Sequence, residues 1–423
     1  MNDPDRVGGG GILIIMDIFV ARQPIFTKSK KIFGYELLFR DGLQNAFPDI
    51  DGDTATSKLL SNTFFSFGIG EITGDKPGFV NFTKDLILQK VPNLFPQKSI
   101  VIEVLENIEP DEQIIDSLEE IKRKGYIIAL DDFIFEEKFR PFIELASIIK
   151  FDLFATPLDS LESIIEDINS KYELTLLAEK VETHEEFEKA IKMGFTLFQG
   201  YFFSKPEILS EKDISANQLI RLQLIAEVNK KKLDLVELAK LIKTDIAISF
   251  KLLKFINCAY FKRPHPINTI KEAMTYMGTD ELRKFISLVA VSSLNDSKPL
   301  ELMRLSVIRA RMCELIGTVM KTDFTSEELF TLGLFSLIDA ILDKEMSQIL
   351  PQTSFSEKIS YALMGNDKKF TNILNAIILI EKGDWENKFF KLIEGTKLYK
   401  NLPKFYLDSV KMAESLADSS TAD

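Results

Sequence analysis

Residues 126–133 read YIIALDDF, a short apolar run of strand length that ends abruptly in two carboxylates, Asp131 and Asp132. The same arrangement recurs on both sides. GFVNF (78–82), SIVIEVL (99–105), IIKFDL (148–153), LTLLAE (174–179) and FTLFQGYFF (195–203) are further apolar runs of strand length, with amphipathic segments between them. Strands alternating with helices predict an α/β architecture with a parallel sheet from Met16 to about Pro206. Asn81, Glu103, Asp131, Asp132, Lys150 and Glu179 fall at or near the C-terminal ends of these strands. In a (β/α) barrel that end carries the chemistry.

After Pro206 the strand pattern stops. Segments 217–228, 235–242, 246–257 and 302–320 repeat apolar residues at three- and four-residue spacing and predict helices. The expected division is a flexible leader (1–15), a barrel (16–206), a linker (207–217), an all-helical domain (218–414) and a disordered polar tail (415–423). Two domains also follow from length, because 423 residues exceed what one hydrophobic core normally organises.

Composition removes several classes of function. Lys and Arg number 52 against 64 Asp and Glu, with no basic run to track a phosphate backbone, which argues against general nucleic-acid binding. Cys258 and Cys313 stand alone, so neither a disulfide framework nor a zinc cluster organises the fold, and a reducing cytoplasm is the expected location. The apolar stretch from Ile12 to Val20 is broken by Asp17 and falls short of the about 20 residues a membrane span needs. No membrane association is expected.

A resemblance becomes specific at Gln23-Pro24-Ile25 followed by Gly34-Tyr35-Glu36-Leu37-Leu38-Phe39-Arg40. This looks like the opening of an EAL-type cyclic di-GMP phosphodiesterase, with Leu37 in place of the name-giving Ala. Downstream, Asn81, Glu103-Val104-Leu105-Glu106, Asp131-Asp132-Phe133, Lys150-Phe151-Asp152, Ala178-Glu179-Lys180-Val181-Glu182-Thr183 and Gln199-Gly200-Tyr201 resemble that family's elements in the family's order. The resemblance implies a TIM-like barrel. It also implies that Glu36, Asn81, Glu103 and Asp131 hold one Mg²⁺ or Mn²⁺ ion, with Asp132 and Glu179 completing a second site. All six offer oxygen donors, which hard divalent ions prefer. Lys150, Glu179, Glu182 and Gln199 are the expected catalytic residues, and Gln23 and Arg40 the expected contacts to cyclic di-GMP.

Two departures from the family pattern bear on activity. Relatives follow Asp-Asp-Phe with a glycine-containing loop, where this chain has Ile134-Phe135-Glu136-Glu137-Lys138-Phe139. Lys180 stands in place of a glycine beside Glu179, where its ammonium could compete with a cation. The helical half resembles the HDOD domain, a divergent relative of HD-type phosphohydrolases. In its segment Gly333-Leu334-Phe335-Ser336-Leu337-Ile338-Asp339, Ser336 and Leu337 occupy the positions of a metal-binding His and Asp. His184 and His265 are the only histidines of the chain and read as structural or surface residues.

The expected function is cyclic di-GMP signalling. A barrel that binds the dinucleotide and a metal with weak or no turnover would be coupled to a non-catalytic HDOD domain that contacts an unidentified protein partner. A homodimer is compatible with this reading. The alternatives are an active cyclic di-GMP phosphodiesterase and a scaffold that binds no nucleotide.

Overall fold

A computed structural model describes residues 19–40, 69–133, 136–204, 216–230, 270–292, 299–353 and 355–421, with isolated positions between 233 and 269. Several sequence expectations fall outside these residues. They are the leader 1–15, most of the linker, most of the 235–242 helix, the whole 246–257 helix, Ile134, Phe135, Cys258, His265 and the side chain of Arg40.

Eight strands close a barrel in sequence order: β1 (Phe19–Thr27), β2 (Ile32–Arg40), β3 (Gly78–Phe82), β4 (Ile100–Val104), β5 (Ile127–Leu130), β6 (Ile148–Asp152), β7 (Thr175–Glu179) and β8 (Leu197–Gln199). The six runs picked out by apolar patterning each contain one strand. The sheet is not wholly parallel, however, because β1 runs antiparallel to both β2 and β8. The short link from Thr27 to Ile32 explains the first pairing. A parallel crossover needs a dozen or more residues, whereas this link closes as a hairpin turn, with Thr27 N–H donating to the Lys31 carbonyl at 2.8 Å.

Around the barrel lie α1 (Ile69–Thr73), α2 (Lys84–Leu88), α3 (Glu112–Arg123), α4 (Arg140–Leu145), α5 (Leu158–Lys171) and α6 (His184–Met193). Their buried faces follow from spacing. α3 turns Ile114, Leu118 and Ile121 toward the strands and starts where the Asp111 carboxylate accepts the N–H of Ile114. α6 begins with a reciprocal cap between Thr183 and Glu186, three residues apart.

The second region is helical throughout its described length: α7 (Ala216–Val228), α8 (Ile270–Ser292, kinked at Gly278), α9 (Leu300–Gly317), α10 (Ser326–Phe335), α11 (Ile338–Leu342), α12 (Met346–Ile349), α13 (Glu357–Leu363), α14 (Lys368–Glu381), α15 (Lys388–Ile393) and α16 (Lys397–Thr421). α9 is its central element. Gly333 of α10 lies so close to it that a Cβ would come within 2.4 Å of the Arg309 carbonyl oxygen. α16 continues through Ser415 to Thr421, where polar composition had pointed to a disordered tail. Extending an already nucleated helix costs little, and residues 413–418 include Ala, Glu and Leu, which favour it. Among the described residues no helix is long and apolar enough to cross a membrane.

Barrel and helices share one continuous hydrophobic core, from Leu38 and Phe39 on β2 to Tyr406 and Val410 on α16. Charged residues are buried along the same boundary. Arg22 of β1 is 3% exposed, lies 4.3 Å from the centre of the Tyr35 ring, and pairs with Glu414 of α16 at 2.7 Å and Glu301 of α9 at 4.0 Å. The Tyr35 hydroxyl donates to Glu301 at 2.8 Å, and Arg304 reaches Glu301 and Glu414 at 3.6 and 3.2 Å.

Candidate active site at the barrel mouth

Side chains alternate inside and outside along a strand, so a position two residues beyond an interior residue is interior again. Phe79, Val101, Ala129, Ile148, Leu177 and Leu197 form an apolar cluster with Ile25. Two residues further along β3 to β8 come Asn81, Glu103, Asp131, Lys150, Glu179 and Gln199. On β1, which runs the other way, the equivalent step leads from Ile25 back to Gln23, and Gln23 pairs in register with Glu36 of β2. The polar layer therefore takes one residue from seven strands and, after β5, the residue that immediately follows it.

Lys150 stands at its centre with no exposed surface. Its Nζ lies 2.6 Å from Glu103 Oε1, 2.6 Å from Asp131 Oδ1, 2.8 Å from Glu179 Oε1 and 3.6 Å from Glu36 Oε1. Four carboxylates thus converge on a single ammonium. Burial opposes the charge on Lys150, but Asp131, Glu103, Glu179 and Glu36 together hold its pKa well above the ordinary lysine value. The carboxylates carry the excess negative charge. Burial drives Glu103 well above the usual range against the pull of Lys150, with Glu36 and Asp131 adding to the rise. Burial likewise lifts Glu179 to about 8, opposed by Lys150 and reinforced by Asp131 and Glu36. Asp132 rises to about 6 through burial and the charge of Asp131.

This donor set fits hard divalent cations. Asn81 is the register neighbour of Glu103, and its Oδ1 is buried without a hydrogen-bond partner among the described residues. A buried amide oxygen left unpaired is costly unless something positive approaches it. Asp131, Asp132 and Glu179 each offer an oxygen within 4.8 Å of the others, and they form the one group of three or more His, Cys, Asp or Glu side chains with metal-ligand spacing among the described residues.

The remaining expected residues are placed as follows. Gln199 Nε2 donates to Glu36 and, at 2.7 Å, to Gln23 Oε1, so both glutamines belong to the cluster. Gln23 also reaches out of the barrel, donating from Nε2 to the Lys382 carbonyl at 2.8 Å, a contact sequence reasoning did not anticipate. Glu182 is exposed at the start of α6, and its N–H donates to the Glu186 carboxylate at 2.8 Å; it is not among the carboxylates around Lys150. Lys180 adopts a left-handed conformation with φ of 54°, which glycine takes without a Cβ penalty. Its ammonium reaches Asp152 at 2.5 Å and acts electrostatically on both Asp132 and Glu179. Beside Asp131 and Asp132 opens a cavity of about 150 Å³, whose lining includes Glu106, Glu136, Phe139 and Phe142.

In the helical region, Ser336 caps its own helix by donating to the Gly333 carbonyl at 2.7 Å, and Leu337 is buried in the core. The Leu337 side chain offers no donor atom to a metal. His184 packs edge-on against Phe202 with ring centres 5.9 Å apart.

Comparison with known proteins gives two family matches: the EAL domain over residues 57–206 and the HDOD domain over residues 217–354. The cyclic di-GMP phosphodiesterase CdgJ of Vibrio cholerae is 36% identical over 370 residues, which cover 87% of this chain and 86% of that protein. The uncharacterized protein YuxH of Bacillus subtilis is 32% identical over 415 residues, covering 96% of this chain and 100% of that one. Among solved structures, the Bacillus subtilis YkuI protein, with an EAL domain and in complex with c-di-GMP and calcium, is 21% identical; the match covers 54% of this chain and 72% of that one, with a TM-score of 0.35. The two consecutive domain matches and the near full-length likeness to CdgJ and YuxH place this chain in the family of bacterial signalling proteins that join an EAL barrel to a helical HDOD domain.

Proposed function

We propose that the barrel binds cyclic di-GMP with Mg²⁺ or Mn²⁺ and hydrolyses one phosphodiester bond, opening the ring to a linear dinucleotide. The observation that carries this reading is the eight-residue polar layer, in which four carboxylates crowd one lysine while the Asn81 oxygen is buried without a partner among the described residues. The name of CdgJ supports the same substrate and reaction. Glu36, Asn81, Glu103 and Asp131 would hold one ion, and Asp132 with Glu179 a second. When bound, such ions activate a water and offset charge on the nonbridging phosphate oxygens.

The protein's own groups supply the rest. Lys150 keeps the carboxylates together and presents a fixed positive charge toward the phosphate, where preorganised charge is worth most. Gln199 fixes one oxygen of Glu36 and leaves the other facing Lys150. Arg40 would contact a phosphate, and the exposed Glu182 would act on the substrate side. The HDOD region is non-catalytic in this reading and serves regulation, contacting a protein partner or a second copy of the chain in the cytoplasm.

The test is direct. Purified protein with Mn²⁺ should convert cyclic di-GMP to the linear product, and Glu36→Ala should lower the rate by about a hundredfold or more. Turnover unaffected by Glu36→Ala would refute the assignment.

A second reading, a sensor that binds the dinucleotide but turns it over slowly, is favoured by Lys180, whose ammonium acts on both proposed ligands of the second ion. Lys180→Gly removes that competing charge and the left-handed strain together. It should raise turnover by about tenfold, equivalent to ~1.4 kcal/mol of transition-state stabilisation. Asp152 would keep the backbone N–H donors of Phe154 and Ala155. A variant as slow as the parent would exclude Lys180 as the limiting element.

A further inference from the structure

The barrel mouth is joined to the helical region by a continuous run of hydrogen bonds. Glu36 Oε2 accepts from Gln199, Gln199 also donates to Gln23 Oε1 at 2.7 Å, and Gln23 Nε2 donates to the Lys382 carbonyl at 2.8 Å. Its polarity is fixed from the Lys382 end. A backbone carbonyl can only accept, so Gln23 turns its amide nitrogen to Lys382 and its oxygen to Gln199, whose amide nitrogen then faces Glu36.

The far end is firmly held. Lys382 follows the last turn of α14, where carbonyls lack intrahelical partners, and Gln23 satisfies one of them. The preceding residue, Glu381, is buried and takes both arms of the Arg309 guanidinium, at 2.8 and 2.7 Å. The following residue, Gly383, has φ of 62° and lies against Leu38 of β2, where a Cβ would meet Leu38 Cδ1 at 2.3 Å. The carbonyl that orients Gln23 is therefore fixed by the helical region.

We propose that Gln23 is a positioning residue through which the helical region, at a point beyond the residues 217–354 matched to the HDOD domain, sets how firmly Glu36 is oriented, and hence how tightly the barrel mouth holds a divalent ion. The proposal rests on the reading of Glu36 as an ion ligand but does not require turnover. A ligand carboxylate bonded through its other oxygen loses less freedom on binding a cation, and loss of such an outer contact typically weakens metal sites by tenfold or more. Coupling of this kind is reciprocal, so an ion at Glu36 steadies the segment that carries Lys382.

Calorimetry with Mn²⁺ alone on the full chain tests this. Gln23→Met keeps length and loses both hydrogen bonds, and it should bind Mn²⁺ about tenfold more weakly than the parent. Gly383→Ala displaces the carbonyl from the helical side and should weaken binding by roughly threefold, since it strains one contact without deleting it. The double variant should bind no more weakly than Gln23→Met, because both act through one link. Hydrogen exchange over residues 379–385 should slow on Mn²⁺ addition in the parent and not in Gln23→Met, a change that a merely structural role would not produce.

Mn²⁺ affinity in Gln23→Met within about twofold of the parent would overturn the proposal while leaving the ion site intact. A full Gly383→Ala effect in the Gln23→Met background would also overturn it, assigning the coupling to Leu38. Absence of Mn²⁺ binding by the parent would instead refute the ion-site reading, and the proposal with it.

Discussion

Lys150→Met should abolish most turnover and destabilise the metal-free protein, with Mn²⁺ restoring much of the lost stability. The lysine has no exposed surface and lies within 2.8 Å of three carboxylates. Removing one partner of a buried charged cluster leaves the others uncompensated, a loss of about 3–5 kcal/mol. If the barrel hydrolyses cyclic di-GMP as proposed, turnover should fall by at least about a hundredfold, because a preorganised charge that would face the phosphate disappears.

The loss should depend on pH in a stated direction. Folding raises Glu179 from 4.5 to about 8, so its contribution is present below 4.5 and is lost as pH rises through about 8. Without Lys150 the carboxylate resists ionisation further, and the variant should lose stability over that window more steeply than the parent. At 100 times its dissociation constant an ion bound only by the folded state returns about 2.7 kcal/mol. Urea titrations at pH 5 and pH 8, with and without Mn²⁺, measure all three effects. Equal stability of variant and parent at pH 8 without metal would mean that Lys150 does not hold the cluster together.

Arg22→Met should cost about 3 kcal/mol and loosen the barrel from the helices, although the Arg22 side chain is not part of the polar layer around Lys150. It is buried between Glu301, which is 1% exposed, and Glu414, and without it Arg304 alone faces two carboxylates. Burial opposes the charge on Arg22, but Tyr35, Glu301 and Glu414 favour it enough to raise its pKa. Glu301→Gln added to Arg22→Met restores neutrality and should recover at least about half of the loss, since a buried ion pair replaced as a whole is often nearly neutral. Denaturant unfolding of both variants gives the numbers. A loss below about 1 kcal/mol for Arg22→Met would place the pair in the class of weak exposed ion pairs.

Much of the barrel was legible because a strand's interior face is set by local alternation. Each of YIIALDDF, SIVIEVL and LTLLAE carries its apolar interior position and its polar mouth position two residues apart. The helical character of the second region was legible in the same way, from apolar residues at three- and four-residue spacing. The hairpin of β1 and β2 was also implicit, because Thr27 and Ile32 are too close in sequence for a parallel crossover. The α/β alternation that dominates the rest of the barrel points instead to parallel strands throughout, and it masks this local signal.

By itself the sequence determined six of the eight strands, the kind of side chain at their ends, the oxygen-rich chemistry of the mouth and the helical character of the second region. Only the tertiary structure decided that Lys150 sits among four carboxylates, that Gln23 faces both Gln199 and Lys382, and that Arg22 pairs with Glu414. The reason is distance along the chain. Periodicity and turn chemistry act over a few residues, whereas Gln23 is 176 residues from Gln199 and 359 from Lys382, and no local preference specifies which of many distant polar groups closes onto it. Barrel closure and the shared core make that choice, because they fix where each strand end lies and leave buried polar atoms only the partners that packing brings within reach.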